Sequence, residues 1–303
     1  MSVIHRNQIE PVISLFKRRG VNFYHACQYK DFKTYLKIGG VPSRNLMELR
    51  GFPYTTFQTD EQDKNNDVWR KVFGNLSDFG FSFAKGKRRE HTAPIPNPYG
   101  PILLIFKPEA FYEASDVAIC LRSAGGRDFN REAESLSSAD EIDRIFQHSI
   151  DEAPNEFAKA NIKFSKQLQN DFDDPQATSP EVSLTVEDEK ISFRHLDKII
   201  VDPYIVSEKK LKDKIENLKQ TYLLNAPIWE RRYSEGRQKI QQELVDLLLH
   251  KTVTIEEIIQ TEKTSQELKD WARRVNKGGI NWQYDRFAEY LRLGTIMELN
   301  NEV

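Results

Sequence analysis

Phe23-Tyr24-His25-Ala26-Cys27, followed by a helix-forming run and then by Lys37-Ile38-Gly39-Gly40-Val41-Pro42-Ser43-Arg44, decides how this chain is read. Residues 21–27 are rich in apolar and aromatic side chains and predict a strand. Asp31 can cap the helix that follows, and Phe32, Tyr35 and Leu36 lie at the i, i+3, i+4 spacing of one helical face. Gly39-Gly40 ends that helix, and Pro42 prevents it from resuming. A histidine is thus placed near the end of a strand, beside an aromatic neighbour. Much later, Ser179-Pro180-Glu181-Val182 opens another strand with a glutamate whose approach the proline fixes. A histidine after one strand and a glutamate opening another can hold a sugar between them.

Working outward, residues 8–19 predict a helix with Ile9, Val12, Ile13 and Phe16 on one face and Gly20 as its stop. Residues 51–67 are acidic and loop-like. Residues 67–76 predict a helix with Val68, Val72 and Phe73 together, and residues 79–84 a short aromatic strand. Residues 85–99 carry three prolines and a basic run, hence a loop. Ile102–Phe106 is the clearest strand, and residues 117–121 give another. Residues 131–170 are helical in pattern through Ile142, Ile145, Phe146 and Ile150. Short strands are expected at residues 182–186, around Ile191 and Phe193, and at residues 198–201. Beyond residue 207 nearly everything favours helix. The expected fold is α+β, with residues 1–207 as the core and residues 208–303 as a helical C-terminal region.

At 303 residues the chain can hold one large or two modest units, and 39% apolar residues suffice for a core. A net charge of -2 supplies no global attraction to nucleic acid or anionic lipid, so any such contact needs a local patch. Lys85, Lys87, Arg88 and Arg89 form the one basic run on a proline-bounded loop and are the candidate nucleic-acid contacts. There are two cysteines and no CxxC, so a zinc site of the usual spacing is excluded and no metal is expected. Residues 63–74 fail as a calcium loop, because Val68 stands where glycine is needed and Gly74 where glutamate is needed. No signal core or spanning segment is apparent, and the expectation is a cytoplasmic protein with no membrane partner.

Breaking a bond between a sugar and a cationic leaving group makes the sugar oxocarbenium-like. The protein then needs a carboxylate beside the ribose, a histidine or similar donor to hold it, an arginine fork for phosphate, and an aromatic face. Glu181, His25, Arg44 or Arg50, and Phe79, Phe81 and Phe83 supply these parts. Over residues 21–206 the order Tyr24-His25, the Phe32/Tyr35/Leu36 helix, Gly39-Gly40, Pro42-Ser43-Arg44, Asp78-Phe79-Gly80-Phe81-Ser82-Phe83-Ala84, Ser179-Pro180-Glu181-Val182 and Ile199-Ile200-Val201 resembles the DarT-like ADP-ribosyltransferases. The resemblance implies an ADP-ribosyltransferase fold with a split mixed or antiparallel sheet, and NAD as donor. It also implies a nucleic-acid acceptor and the role of a toxin or antiphage effector, with an antitoxin or chaperone as a further partner. It makes Glu181 the catalytic glutamate, paired with Arg44, and gives NAD binding to His25, Ser43, Arg50, Phe81 and Phe83. The family's arginine matches either Arg44 or Arg50, and spacing does not choose.

Two other classes compete. A magnesium-dependent nuclease could draw carboxylates from Asp60, Asp63, Asp67 and Glu181. A catalytically silent interaction module could use residues 208–303, where Trp229, Trp271 and Trp282 are the kind of anchors interfaces favour.

Overall fold

The computed structural model describes residues 3–57, 60–78, 99–126, 128–130, 134–279 and 281–302, with the side chains of 281–283 outside that description. The chain opens with a short strand β1 (Ile4–His5), then α1 (Ile9–Arg19), whose apolar face is buried and whose end is set by Gly20 at φ 65°. β2 (Phe23–Cys27) leads into α2 (Tyr29–Ile38). Asp31 sits inside the first turn of α2, where its carboxylate accepts from the Gln28 amide at 3.3 Å and the Thr55 amide at 2.7 Å. Gly39, at φ 81°, closes α2 in the left-handed conformation that glycine adopts without strain. β3 (Gly40–Pro42) and α3 (Arg44–Leu49) follow.

The next stretch corrects two expectations. Within residues 51–67, Asp60–Asn65 forms a helical turn and a half, α4, with three acidic residues at its start, where negative charge suits the helix dipole. Residues 67–76 do not form a helix; Val72–Asn75 is the strand β4. Val68 and Val72 mimic helical spacing, but Val72 and Gly74 face the core as alternate strand residues. A Cβ on Gly74 would lie 2.3 Å from the Phe23 ring and 2.6 Å from the Tyr24 carbonyl. Only glycine lets β4 pass there, and Gly74→Ala is expected to destabilise the fold by about 3 kcal/mol in urea unfolding, the upper range of core overpacking.

β5 (Ile102–Phe106) is buried along its whole length, and β6 (Ala114–Cys120) and β7 (Ser135–Leu136) come next. The continuous helical pattern expected over residues 131–170 is broken into α5 (Ala139–Asp143), α6 (Glu156–Lys159) and α7 (Ser165–Asp171). Pro154 and the capping side chains Ser138 and Asn155 restart the chain at α5 and α6, and at α7 the Gln167 side chain accepts from the Phe164 amide. β8 (Glu181–Val186), β9 (Lys190–Ser192) and β10 (Leu196–Val201) complete the strands expected before residue 207. β11 (Ile205–Val206) and β12 (Lys209–Lys210) make a small hairpin, followed by α8 (Leu211–Thr221), β13 (Ile228–Glu230) and α9 (Glu235–His250). α10 (Ile255–Gln260), α11 (Gln266–Lys277), α12 (Asn281–Leu291), a π-helical turn at Arg292–Ile296 and α13 (Met297–Asn300) end the chain.

The protein is therefore α+β, with a nine-stranded mixed sheet in the order β1-β6-β8-β4-β2-β5-β10-β13, β7 pairing with β6. Every pairing in it is antiparallel except β10 with β13. Among the described residues the β2–β4 ladder is a single residue pair, Tyr24 with Asn75, whereas β2 pairs with β5 through five. Phe16, Phe23, Phe106 and Phe111 meet in tilted and edge-on pairs at ring distances of 5.4–6.1 Å to form the aromatic centre of the core.

The C-terminal region is sewn into this core. β13 is an edge strand of the main sheet, and the π-helical turn lies against the start of α2. Thr295, fully buried, donates to the Gln28 amide oxygen at 2.7 Å and accepts from the Tyr29 amide at 3.1 Å. Gly294 permits the approach, since a Cβ there would sit 2.6 Å from the Gln28 side chain. Trp271 is buried core, Trp229 is half exposed at the sheet edge, and the Trp282 side chain lies outside the described residues. Among the described residues no helix is long and apolar enough to cross a membrane.

Candidate active site

Glu181 is the first residue of β8, paired on one side with Asn75 of β4 and on the other with Cys120 of β6. It therefore stands one strand away from the Tyr24–Asn75 junction. Its carboxylate accepts from the Ala124 amide at 2.9 Å and from the Ser123 hydroxyl. Burial nevertheless pushes its pKa up to about 7, against the pull of those two hydrogen bonds.

Asp63 of α4 faces the same place. Its pKa also rises to about 7, chiefly through burial, then through the negative charges of Glu181 and Asp60, with Arg44 opposing them. Between them the two carboxylates hold about one proton at neutral pH. Tyr99, partly exposed, stands within electrostatic reach of both: desolvation, then the charges of Glu181 and Asp63, push its phenol up.

Arg44 begins α3, just after the Ser43 cap. Its guanidinium carbon lies 4.8 Å from the Phe57 ring centre and 5.2 Å from that of Tyr54. The nearest carboxylate, Asp31, is 3.8 Å from Nη1, and that nitrogen is buried with no hydrogen-bond partner. Tyr290 of α12 packs edge-on against Phe57 at 4.6 Å, so the C-terminal region builds part of the aromatic box around Arg44. Beside the box is a cavity of about 380 Å³ lined by Lys30, Tyr54, Thr55, Phe57, Tyr290 and Leu293, among others.

His25 points to the junction of β2 and β4. Its Nδ1–H donates to the Phe73 carbonyl at 2.7 Å, which leaves Nε2 to accept from the Tyr35 hydroxyl at 3.1 Å. Burial lowers its pKa to about 4, the Phe73 hydrogen bond opposes the shift, and the nearby Arg44 adds to it. The imidazole is thus neutral and bridges the two sides of the sheet where backbone pairing is thinnest.

The structure separates the two arginines that spacing left open. Arg44 lies in the buried aromatic box, within the electrostatic reach of Asp63. Arg50 is exposed and lines a different cavity, of about 350 Å³, with Ile38, Leu46 and residues 187–190. Ser43, almost fully buried, caps α3 by accepting from the Leu46 amide at 3.0 Å and donates to Glu189 at 2.7 Å. Phe81, Phe83, Lys85, Lys87, Arg88 and Arg89 lie outside the described residues.

Asp63 as the partner of Glu181, and Tyr54, Phe57 and Tyr290 around Arg44, were not singled out in these roles from the sequence. Gly51-Phe52-Pro53-Tyr54-Thr55-Thr56-Phe57 carries a local signal for the box, aromatic residues spaced along a proline-containing loop. Among the described residues, no group of three or more His, Cys, Asp or Glu side chains converges to hold a metal ion. Asp60, Asp63, Asp67 and Glu181 thus do not form the cluster that the nuclease alternative calls for. No protein-family model matches the chain, and no curated protein matches it.

Proposed function

We propose that the chain is an NAD-dependent ADP-ribosyltransferase of the DarT-like kind, acting on a nucleic-acid acceptor as a toxin or antiphage effector. The observation that carries this reading is that Asp63 feels both the charge of the strand-opening Glu181 and that of Arg44, which ties the two to one region, while Arg44 Nη1 makes no hydrogen bond. A glycosyl carboxylate and a phosphate fork are the two charged groups the reaction requires, and Glu181 and Arg44 are the residues that would supply them. The near-separation of the sheet at Tyr24–Asn75 suits the split sheet expected of this fold.

In this reading Glu181 stabilises positive charge on the ribose and, once ionised, accepts a proton from the acceptor. Arg44 anchors the pyrophosphate, and the Phe57 and Tyr54 rings hold its plane. His25 is a positioning residue: its hydrogen bonds to Phe73 and Tyr35 set the distance between β4, the neighbour of the Glu181 strand, and α2. An antitoxin or chaperone would be the protein partner that restrains such an activity.

The test is nicotinamide release from NAD by the purified protein, alone and with DNA or RNA added. Release stimulated by nucleic acid, and reduced at least tenfold in Arg44→Lys, is the expected result, because lysine loses the planar fork. Absence of nicotinamide under all three conditions would overturn the reading.

A pH dependence follows. Transfer should rise as pH climbs through about 7, where Glu181 loses its proton. Like charges raise one another's pKa, so Asp63→Asn should move that acid limb to lower pH by about one unit. A profile of nicotinamide release from pH 5 to 9 checks both statements, and an unmoved limb would remove Asp63 from the site.

A further inference from the structure

The N-terminal end of α9 borders a cavity of about 350 Å³ that shares no lining residue with the surroundings of Glu181. Leu244 and Trp271 are its buried walls, and Ser234, Arg237 and Arg274 stand at its rim. α9 runs for 16 residues, and the Ser234 hydroxyl makes no cap hydrogen bond, so amides of the first turn remain open to an anion. The carboxylates nearby in sequence are already engaged: Glu235 pairs with Lys239 at 2.9 Å and Asp270 with Arg273 at 2.7 Å. Among the described residues neither Arg237 nor Arg274 forms an ion pair, unlike the buried Arg19, Arg122 and Arg231.

The second observation is Gln241, also in the cavity wall and only 6% exposed. Its orientation is set by a chain of hydrogen bonds. Tyr233 donates its hydroxyl to Asp202 at 2.9 Å, and the Gln241 amide group in turn bonds to the Tyr233 oxygen. The Gln241 Oε1 is left buried with no partner. A buried carbonyl without a donor costs stability, and a bound ligand carrying an N–H would satisfy it.

The cavity therefore asks for a molecule with an anion at one end, a hydrogen-bond donor at the other and a flat apolar body between them. We propose that it is a second ligand site, for a nucleoside monophosphate. The phosphate would lie between Arg237, Arg274 and the α9 N-terminus, the base against Trp271, and an exocyclic amine on Gln241 Oε1. The volume lies in the range of small-molecule sites.

Titration of the full-length protein with adenosine monophosphate and, separately, with inorganic phosphate tests this, read by calorimetry and by tryptophan fluorescence. Adenosine monophosphate should bind at least tenfold more tightly than phosphate. The Arg237→Ala/Arg274→Ala double variant should weaken it at least tenfold, and Gln241→Met should bring it toward the affinity of phosphate. Circular dichroism of the variants establishes that they fold. Glu181→Gln should leave the binding unchanged. No saturable binding at millimolar nucleotide, equal affinity for phosphate, or full affinity in the folded double variant would each overturn the proposal.

Discussion

Replacing Glu181 with glutamine is expected to lower nicotinamide release by about a thousandfold, the scale on which preorganised charge stabilisation acts, while making the folded protein more stable at pH 8. The two effects have one cause. The carboxyl group is half-buried at the start of β8, and ionising it there is unfavourable. In the unfolded chain it releases its proton near 4.5, and in the folded chain near 7. Between those values the folded state binds more protons, so stability falls as pH rises through the window, and the whole penalty remains above it. A shift of that size corresponds to up to about 3 kcal/mol. Glutamine keeps an oxygen for the Ala124 amide and removes the charge. Thermal unfolding at pH 5 and pH 8 would show the variant gaining only at the higher pH. Equal stability at both, or undiminished turnover, would mean that Glu181 is an ordinary surface carboxylate.

Arg231→Met should produce the largest loss of stability, about 3–5 kcal/mol, the range for stranding one member of a buried ion pair. Arg231 follows β13 and donates to Asp202 at 2.8 Å, while a second arm reaches Asp78. Asp202 is almost fully buried, and burial already holds its pKa above the ordinary carboxylate range in spite of Arg231 and Tyr233. Without the guanidinium, Asp202 must take up a proton or open the edge of the sheet. Denaturant unfolding measures the loss. If Asp202→Asn placed on top of Arg231→Met restored much of the stability, the stranded charge would be identified as the cause. An unchanged midpoint in the single variant would contradict the role given to this cluster.

Much of the positioning framework was legible because it depends on local rules. Gly20 and Gly39 end their helices as their neighbours suggested, Ile102–Phe106 is the buried centre of the sheet, and Glu181 does open a strand. Residues 67–76 misled because two valines four apart satisfy a helical template, whereas the deciding fact is Phe23 lying against Gly74, a contact between distant parts of the chain. The choice between Arg44 and Arg50 had the same character. Six residues apart in sequence, they differ only in what the fold brings to them: Tyr54, Phe57 and Asp31 for one, the open surface near Glu189 for the other. The contribution of Tyr290 to the Arg44 box needed the whole C-terminal path to be known.

The single residue pair between β2 and β4 has a mechanical consequence. A sheet bonded along its length resists shear, whereas here one backbone rung is supplemented by the His25–Phe73 hydrogen bond and by Phe23 packed on Gly74. Glu181 opens β8, and the segment of Arg44 is tied to the strand that follows it, because β3 pairs with β9 and Ser43 donates to Glu189. A small shift at that rung would therefore carry the carboxylate and the guanidinium together and be taken up at His25.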